Sequence, residues 1–234
     1  ERFDPDKEQI RRMFRTALDA NRYCSVQLSG GEPTVRDDLP ELVRMGKEMG
    51  VIHLQVNSNG IRIAQDINYL RQLKEAGLDL IYLQFDGVDD EIYRTIRGRD
   101  MLDIKLKAIE NCEKLGVGVL LVPVVIPGVN LHMLGEIVAF AKKHIPTAKG
   151  IHFQPVSYFG RYPGQTPPDE SRCGLDDVLH ALTEQCPEEL AMDNFVPRKQ
   201  FDPHCDFSST YYLDESGRLV CMTQFHQNDC DTEQ

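Results

Sequence analysis

Four consecutive residues, Gly30-Gly31-Glu32-Pro33, put a carboxylate beside a main chain that a ligand can approach closely. Two glycines carry no Cβ, so the backbone beside Glu32 can approach a ligand closely. A tight turn with a solvated glutamate is the plainer alternative. Further along, Asn57-Ser58-Asn59-Gly60 offers a hydroxyl and two amides, and Gln84 with Asp86 offers an amide and a second carboxylate. Asn130 and the stretch Gln154-Pro155-Val156-Ser157 add further polar groups. Asn, Gly and Asp are also ordinary turn formers, so each position taken singly is ambiguous.

Seven cysteines form the second chemical group, five of them at or after Cys173. Cys24 and Cys112 fit apolar stripes and read as buried thiols. Cys173 and Cys186 stand thirteen apart around a helical pattern and are open between ligands and bystanders. Cys205, Cys221 and Cys230 flank a hairpin pattern, with His204 and His226 close by in sequence. Thiolates held that way could bind an iron–sulfur centre or a mononuclear metal.

What must position these residues is an alternation of helices and strands over the first 156 residues. Ile10, Met13, Phe14 and Ala17 make a helical stripe, as do Leu39, Leu42, Val43 and Gly46. Ile67, Leu70 and Leu73 do the same before Gly77, then Leu102, Leu106, Ile109 and Cys112, and then Leu131, Leu134, Val138 and Ala141. Between them lie apolar strands Cys24–Leu28, Val51–Val56, Leu80–Phe85, Val117–Ile126 and Gly150–Val156. Strand centres at Val26, Leu54, Leu83, Leu121 and Phe153 are 28, 29, 38 and 32 residues apart, each the length of a βα unit. Such a series predicts an α/β fold with a parallel sheet, open or barrel-like. In such sheets ligands bind at the carboxyl ends of the strands, where the polar residues named first all fall.

After Ser157 the pattern changes. Phe159–Asp169 reads as a loop and Leu175–Gln185 as a helix. Tyr211–Leu213 and Arg218–Val220 read as a β-hairpin around Asp214–Gly217. We expect a barrel domain over residues 1–159 and a cysteine-containing extension over 160–234.

Composition limits the function. The chain has 234 residues, 41% of them hydrophobic, and a formal net charge of −11. Such acidity disfavours nonspecific binding to nucleic acid or anionic membranes. No apolar run reaches the roughly 18 residues of a transmembrane segment. Residue 1 is a Glu in a polar segment with no visible secretory signal. Sparse, odd-numbered cysteines suit a reducing cytoplasm better than a disulfide scaffold.

The strand ends taken in order resemble the radical S-adenosylmethionine (SAM) enzymes over about residues 5 to 160. Gly30-Gly31-Glu32-Pro33 is similar to the family's GGEP motif at the second strand. Asn57-Ser58-Asn59-Gly60 is similar to its third-strand turn. Gln84-Phe85-Asp86-Gly87 matches its fourth-strand position. Tyr93 and Ile96-Arg97-Gly98 resemble the segment that follows, where an arginine can reach the methionyl carboxylate; a surface salt bridge is the alternative for Arg97. Pro127-Gly128-Val129-Asn130 and Phe153-Gln154-Pro155-Val156 resemble the fifth and sixth strand ends. The resemblance implies that Gly30, Gly31, Glu32 and Pro33 receive the methionyl ammonium, Ser58 and Asn59 the methionyl end, Gln84, Asp86 and Asn130 the ribose, and Gln154-Pro155 the adenine. The stretches Leu28–Leu39 and Val122–Asn130 look most like a branch containing tetraether lipid synthases and the methyltransferases of methanopterin biosynthesis.

The implied fold is a partial (β/α)6 barrel. The implied chemistry is generation of a 5′-deoxyadenosyl radical for C–H activation, ending in C–C bond formation or methylation. That chemistry implies SAM, a [4Fe–4S] cluster, an electron donor such as ferredoxin or flavodoxin, and a small-molecule or lipid substrate. The family's C-x3-C-x2-C trio is absent from the sequence. We therefore expect the first strand and cluster loop to be missing, by truncation or processing rather than degeneration, and the cluster ligands to lie outside this chain. Alone, such a chain is not expected to cleave SAM. Cys205, Cys221 and Cys230 are candidates for an auxiliary iron–sulfur cluster or a mononuclear metal. Two alternatives stand beside this one. A metal-dependent lyase or aldolase would use Glu32 and Asp86 as Mg2+ or Mn2+ ligands. A non-catalytic binding module would merely carry the extension.

Overall fold

The computed structural model describes residues 4–158, 168–197 and 206–223. The chain divides into two compact units, Glu1–Pro123 with His144–His152, and Val124–Lys143 with Phe153–Gln234.

The first unit opens with α1 (Lys7–Ala20). Its start is set by Asp6, whose carboxylate accepts the Gln9 N–H while the Gln9 side chain accepts the Asp6 N–H. There follow β1 (Ser25–Leu28), α2 (Leu39–Glu48), β2 (His53–Ser58), α3 (Ile61–Gln65), α4 (Ile67–Glu75), β3 (Leu80–Gln84), α5 (Asp90–Arg97), α6 (Leu102–Leu115) and β4 (Gly118–Val122). Next in chain order come β5 (Val124–Val125) and α7 (Leu134–Lys143) of the second unit, and then β6 (Ala148–Ile151) of the first.

The sheet has five parallel strands in the order β1-β2-β3-β4-β6. Each βα unit adds its strand next to the last, with no reversal of order. Doubly wound sheets reverse at a switch point, whereas a barrel wall does not. Leu54, Val56, Ile81, Leu83, Val119 and Leu121 are fully buried along its middle strands. The helices supply matching stripes through Ile10, Phe14, Leu42, Val43, Leu70, Leu73 and Ile109. This is the expected α/β architecture with a parallel, barrel-like sheet.

Several boundaries differ from the sequence expectation, each for a local reason. The run Val117–Ile126 is interrupted at Pro123, which has no N–H to give a ladder, and so becomes β4 and β5. The run Gly150–Val156 likewise splits between β6 and β7 (Gln154–Pro155). Helices α3 and α5 are absent from the sequence expectation: α3 spans 5 residues, too short to show a stripe, whereas the 8-residue α5 does bury one side through Ile92 and Tyr93. Met13 lies at the margin of the α1 stripe and is half exposed.

In the second unit β5 pairs in parallel with β7. Helix α8 (Leu175–Gln185) follows, with the predicted bounds, and Gln185 ties it to the start of α7 by accepting from Gly135 N and donating to Leu131 O, both at 2.8 Å. Short strands β8 (Val196–Pro197) and β9 (Phe207–Ser208) pair antiparallel. The predicted hairpin is present as β10 (Tyr211–Leu213) and β11 (Leu219–Cys221). Asp214 closes its turn by accepting from Ser216 N and Arg218 N, each at 2.9 Å. Glu189 braces the unit, accepting from Lys142 at 2.5 Å and from Leu219 N at 3.1 Å.

Candidate functional site

Beyond β1 the chain passes through Gly30, whose φ of 142° lies where L side chains are rarely found. A Cβ built on Gly30 or on Gly31 would meet no protein atom within 4 Å. Glu32 then caps a short 3₁₀ turn, Pro33–Val35, that begins with a proline. Its Oε1 accepts from Thr34 N at 3.1 Å, Thr34 Oγ1 at 2.5 Å and Ser58 Oγ at 2.9 Å. Its Oε2 accepts from Asn59 N at 2.6 Å. The carboxylate is thus held between the ends of two adjacent strands, not left in solvent.

The second strand end is equally specified. Ser58 Oγ accepts from Gly60 N at 3.0 Å, and Asn59 Oδ1 accepts from Ile61 N at 2.9 Å to start α3. Gly60 adopts φ 83°, and a Cβ there would stand 2.6 Å from Leu83 Cδ1, so any other residue would strain the backbone and displace the buried Leu83 side chain. Arg62 braces the first turn from α3. It donates to Thr34 O and to Asp37 Oδ1, each at 2.7 Å, and its guanidinium lies 3.7 Å from the Tyr69 ring centroid.

At the third strand end Asp86 is completely buried. Arg97 grips it with Nε to Oδ2 at 2.8 Å and Nη2 to Oδ1 at 3.0 Å. With its amide oxygen turned toward the guanidinium, Gln84 accepts from Arg97 Nη2 at 2.7 Å and Nη1 at 3.0 Å. Tyr93, also fully buried, donates to Gly87 O at 3.0 Å, and burial together with the Asp86 charge raises its pKa.

Sequence reasoning missed Lys105. This α6 lysine is fully buried and donates to Asn59 O at 2.6 Å. Its neighbours Ala108, Ile109 and Cys112 at i+3, i+4 and i+7 are all buried, so the lysine lies within the apolar stripe. That placement was a readable signal. The stripe read from the sequence ran through Leu106, which is 38% exposed. Desolvation lowers the Lys105 pKa to about 8; Asp86 and Glu32 pull it upward, and Arg97 and Arg99 push it down.

In the second unit, buried Asn130 closes its own loop. Its Oδ1 accepts from Ile126 N and its Nδ2 donates to Val124 O, both at 2.7 Å. Gln154 and Pro155 pair in register with Val124 and Val125. Cys221 is half-buried and donates to Thr223 O at 3.4 Å. Cys205 and Cys230 lie outside the described residues, as do His204 and His226. Among the described residues no group of three His, Cys, Asp or Glu side chains is arranged to hold a metal. Cys112 is a buried thiol, its pKa pushed up to about 12 by desolvation, whereas Cys24 is half-buried.

Residues 2–141 match the family model of the radical SAM superfamily. The chain belongs to the radical SAM superfamily. Among curated relatives, the 7,8-dihydro-6-hydroxymethylpterin dimethyltransferase of Methanocaldococcus jannaschii is 38% identical over 245 residues, covering 95% of this chain and 48% of that protein. The probable GTP 3′,8-cyclase of Pyrococcus abyssi is 36% identical over 136 residues, covering 58% of this chain and 43% of that protein. The radical SAM chain thus spans about half the length of the curated relatives it matches. Among solved structures, Streptococcus suis SuiB bound to S-adenosylmethionine gives a TM-score of 0.59 at 18% identity, covering 79% of this chain and 39% of that one. Native anSMEcpe with bound AdoMet gives 0.57 at 21% identity, covering 78% and 51%. These two likenesses concern the fold.

The lyase alternative is not supported. It needs Glu32 and Asp86 as joint metal ligands, yet Glu32 is engaged by Thr34, Ser58 and Asn59, and Asp86 by Arg97. The binding-module alternative also lacks support, since the matched family and the related proteins are enzymes. No helix among the described residues is long and apolar enough to cross a membrane.

Proposed function

We propose that this chain is the SAM-binding core of a radical SAM enzyme that activates an unreactive C–H bond for methylation or C–C bond formation. The observation that carries the proposal is the Glu32 carboxylate, fixed by Ser58 and Asn59 beside two glycines whose Cβ positions face no protein atom. An acceptor so held suits the methionyl ammonium of SAM, with Gly30, Gly31 and Pro33 shaping the approach and Ser58 and Asn59 lining the methionyl end. Arg97 suits the methionyl carboxylate: Asp86 and Gln84 fix its plane, and Nη1 carries two N–H groups of which Gln84 takes one. In this assignment Asp86 serves through Arg97 rather than at the ribose. Gln84, Asn130 and the Gln154-Pro155 pair remain the assignments for ribose and adenine, on family resemblance alone.

When bound, SAM supplies the 5′-deoxyadenosyl group that, as a radical, removes a substrate hydrogen. The chain's part is to orient the cosubstrate through Glu32 and Arg97 and to exclude water from the strand ends. The 234 residues contain no C-x3-C-x2-C trio, so they do not fit the superfamily's [4Fe–4S] cluster. Its ligands are assigned outside this chain, and no step is derived through it. The late cysteines Cys205, Cys221 and Cys230 are assigned to an auxiliary iron–sulfur cluster or mononuclear metal. An external electron donor of the ferredoxin or flavodoxin type, a small-molecule or lipid substrate and a cytoplasmic setting complete the proposal, with residues 1–159 as the barrel and 160–234 as its extension. The 38% identity to a named pterin dimethyltransferase favours methylation of a small heterocycle.

The test is calorimetric titration of SAM into the wild-type chain and Glu32→Ala. Wild-type binding that disappears in the variant is expected. Equal affinity in both would overturn the site.

A further inference from the structure

Lys105 places an ammonium in the core of the first unit, among the apolar neighbours Ala108, Ile109 and Cys112. Burying a charge is costly, and a methionine would fill the same stripe without that cost. The ammonium has a specific partner, because it donates to the Asn59 carbonyl at 2.6 Å. It also stands 5.8 Å from the centroid of the buried Tyr93 ring, within the range of a cation–π contact.

The partner is informative. Asn59 gives its N–H to Glu32 Oε2 and receives the lysine at its C=O. The two bonds lie on either side of one Cα, so together they fix both backbone dihedrals of Asn59. A hydrogen bond from an ionised donor is roughly twice as strong as a neutral one.

We propose that Lys105 is a positioning residue, anchoring the turn of residues 57–60 through the Asn59 carbonyl and so setting the direction in which Glu32 presents its carboxylate to SAM. This rests on the SAM-site reading. It assigns a task to a residue on α6 that lies outside every strand-end motif.

The charged and titratable groups around the ammonium are Glu32 and Asp86, which favour its charged form, Arg97 and Arg99, which oppose it, and the Tyr93 ring. Desolvation dominates and leaves its pKa at about 8, within reach of an ordinary titration.

The experiment follows the Asn59 amide resonance by NMR through the alkaline range, and SAM affinity by calorimetry, in wild type, Lys105→Met and Lys105→Gln. In wild type the Asn59 amide is expected to shift with a midpoint near pH 8. In Lys105→Met the inflection should vanish and SAM should bind about tenfold more weakly, the equivalent of ~1.4 kcal/mol. Lys105→Gln keeps a donor without a titration, so it should recover part of the affinity and show no inflection. An Asn59 amide without an inflection in wild type, or unchanged SAM affinity in folded Lys105→Met, would overturn the proposal. Should the methionine variant not fold, the wild-type inflection and the glutamine variant decide. Absence of SAM binding in wild type would defeat the SAM-site reading instead, and the Asn59 amide would still report whether Lys105 anchors the turn.

Discussion

Arg97 clasps the fully buried carboxylate of Asp86 with two parallel hydrogen bonds, Nε to Oδ2 at 2.8 Å and Nη2 to Oδ1 at 3.0 Å. A planar fork meeting a carboxylate edge to edge is a rigid unit, and here it joins the end of β3 to the last turn of α5. The arginine side chain is 28% exposed and the aspartate is not, so the burden of desolvation falls on Asp86.

Removing the cation alone is therefore expected to be the damaging change. Arg97→Ala should cost about 3 kcal/mol of stability, because it takes a two-pronged arginine contact away from a buried carboxylate. The Asp86→Asn, Arg97→Ala double variant should recover part of that loss. Urea unfolding of the two single variants and the double variant would measure a coupling of about 1–3 kcal/mol. Additive losses would show that the pair does not act as a unit.

Gly31 separates folding from binding. A Cβ at this position meets no protein atom within 4 Å, and Gly31 is not among the glycines with positive φ. Gly31→Ala should then leave stability unchanged or raise it by up to ~1 kcal/mol through the unfolded chain. On the SAM-site reading, SAM affinity should fall, since the added methyl would narrow the close backbone approach proposed for that turn. Thermal unfolding and calorimetry on one preparation test both halves, and unaltered SAM binding would show that the close backbone approach lies elsewhere.

Lys105 also predicts an unusual dependence of stability on pH. Its folded pKa of about 8 lies below the ordinary lysine value of 10.5. Between those values the unfolded chain binds more protons than the folded one, so stability rises with pH. The contribution is fully present above the unfolded pKa and is lost as pH falls through the folded one. Measured against Lys105→Met, the wild type should gain about 3 kcal/mol across that window. A flat difference between the two proteins would mean that the lysine is solvated.

Much of this arrangement is legible in the residues alone. The spacing of Val26, Leu54, Leu83 and Leu121 predicts parallel βα units, and the sheet pairs those strands in that order. The motifs around Glu32 and Ser58 stand at strand ends because glycine, serine and asparagine are what a chain needs there to turn and to bond. What stays hidden is pairing at a distance. Nothing in a linear reading says that the Ser58 hydroxyl and the Asn59 amide converge on Glu32, since that depends on the register of β1 against β2. A linear reading gives Arg97 and Asp86 separate ligand groups, because their mutual bond becomes visible only when α5 is folded back beside β3. Lys105 escaped for a different reason: a lysine is taken for surface by default, although its helical neighbours mark that face as core.

The four bonds on Glu32 carry a directional consequence. A carboxylate offers about four acceptor directions, two on each oxygen. Oε1 already serves Thr34 twice and Ser58 once, while Oε2 serves Asn59 alone. One direction on Oε2 is left for a visitor. A single open bearing fixes the direction from which a donor must come, and so selects for a compact cation that can reach along it; either hand of an amino acid can aim its ammonium that way, so telling mirror images apart falls to further contacts on the same ligand.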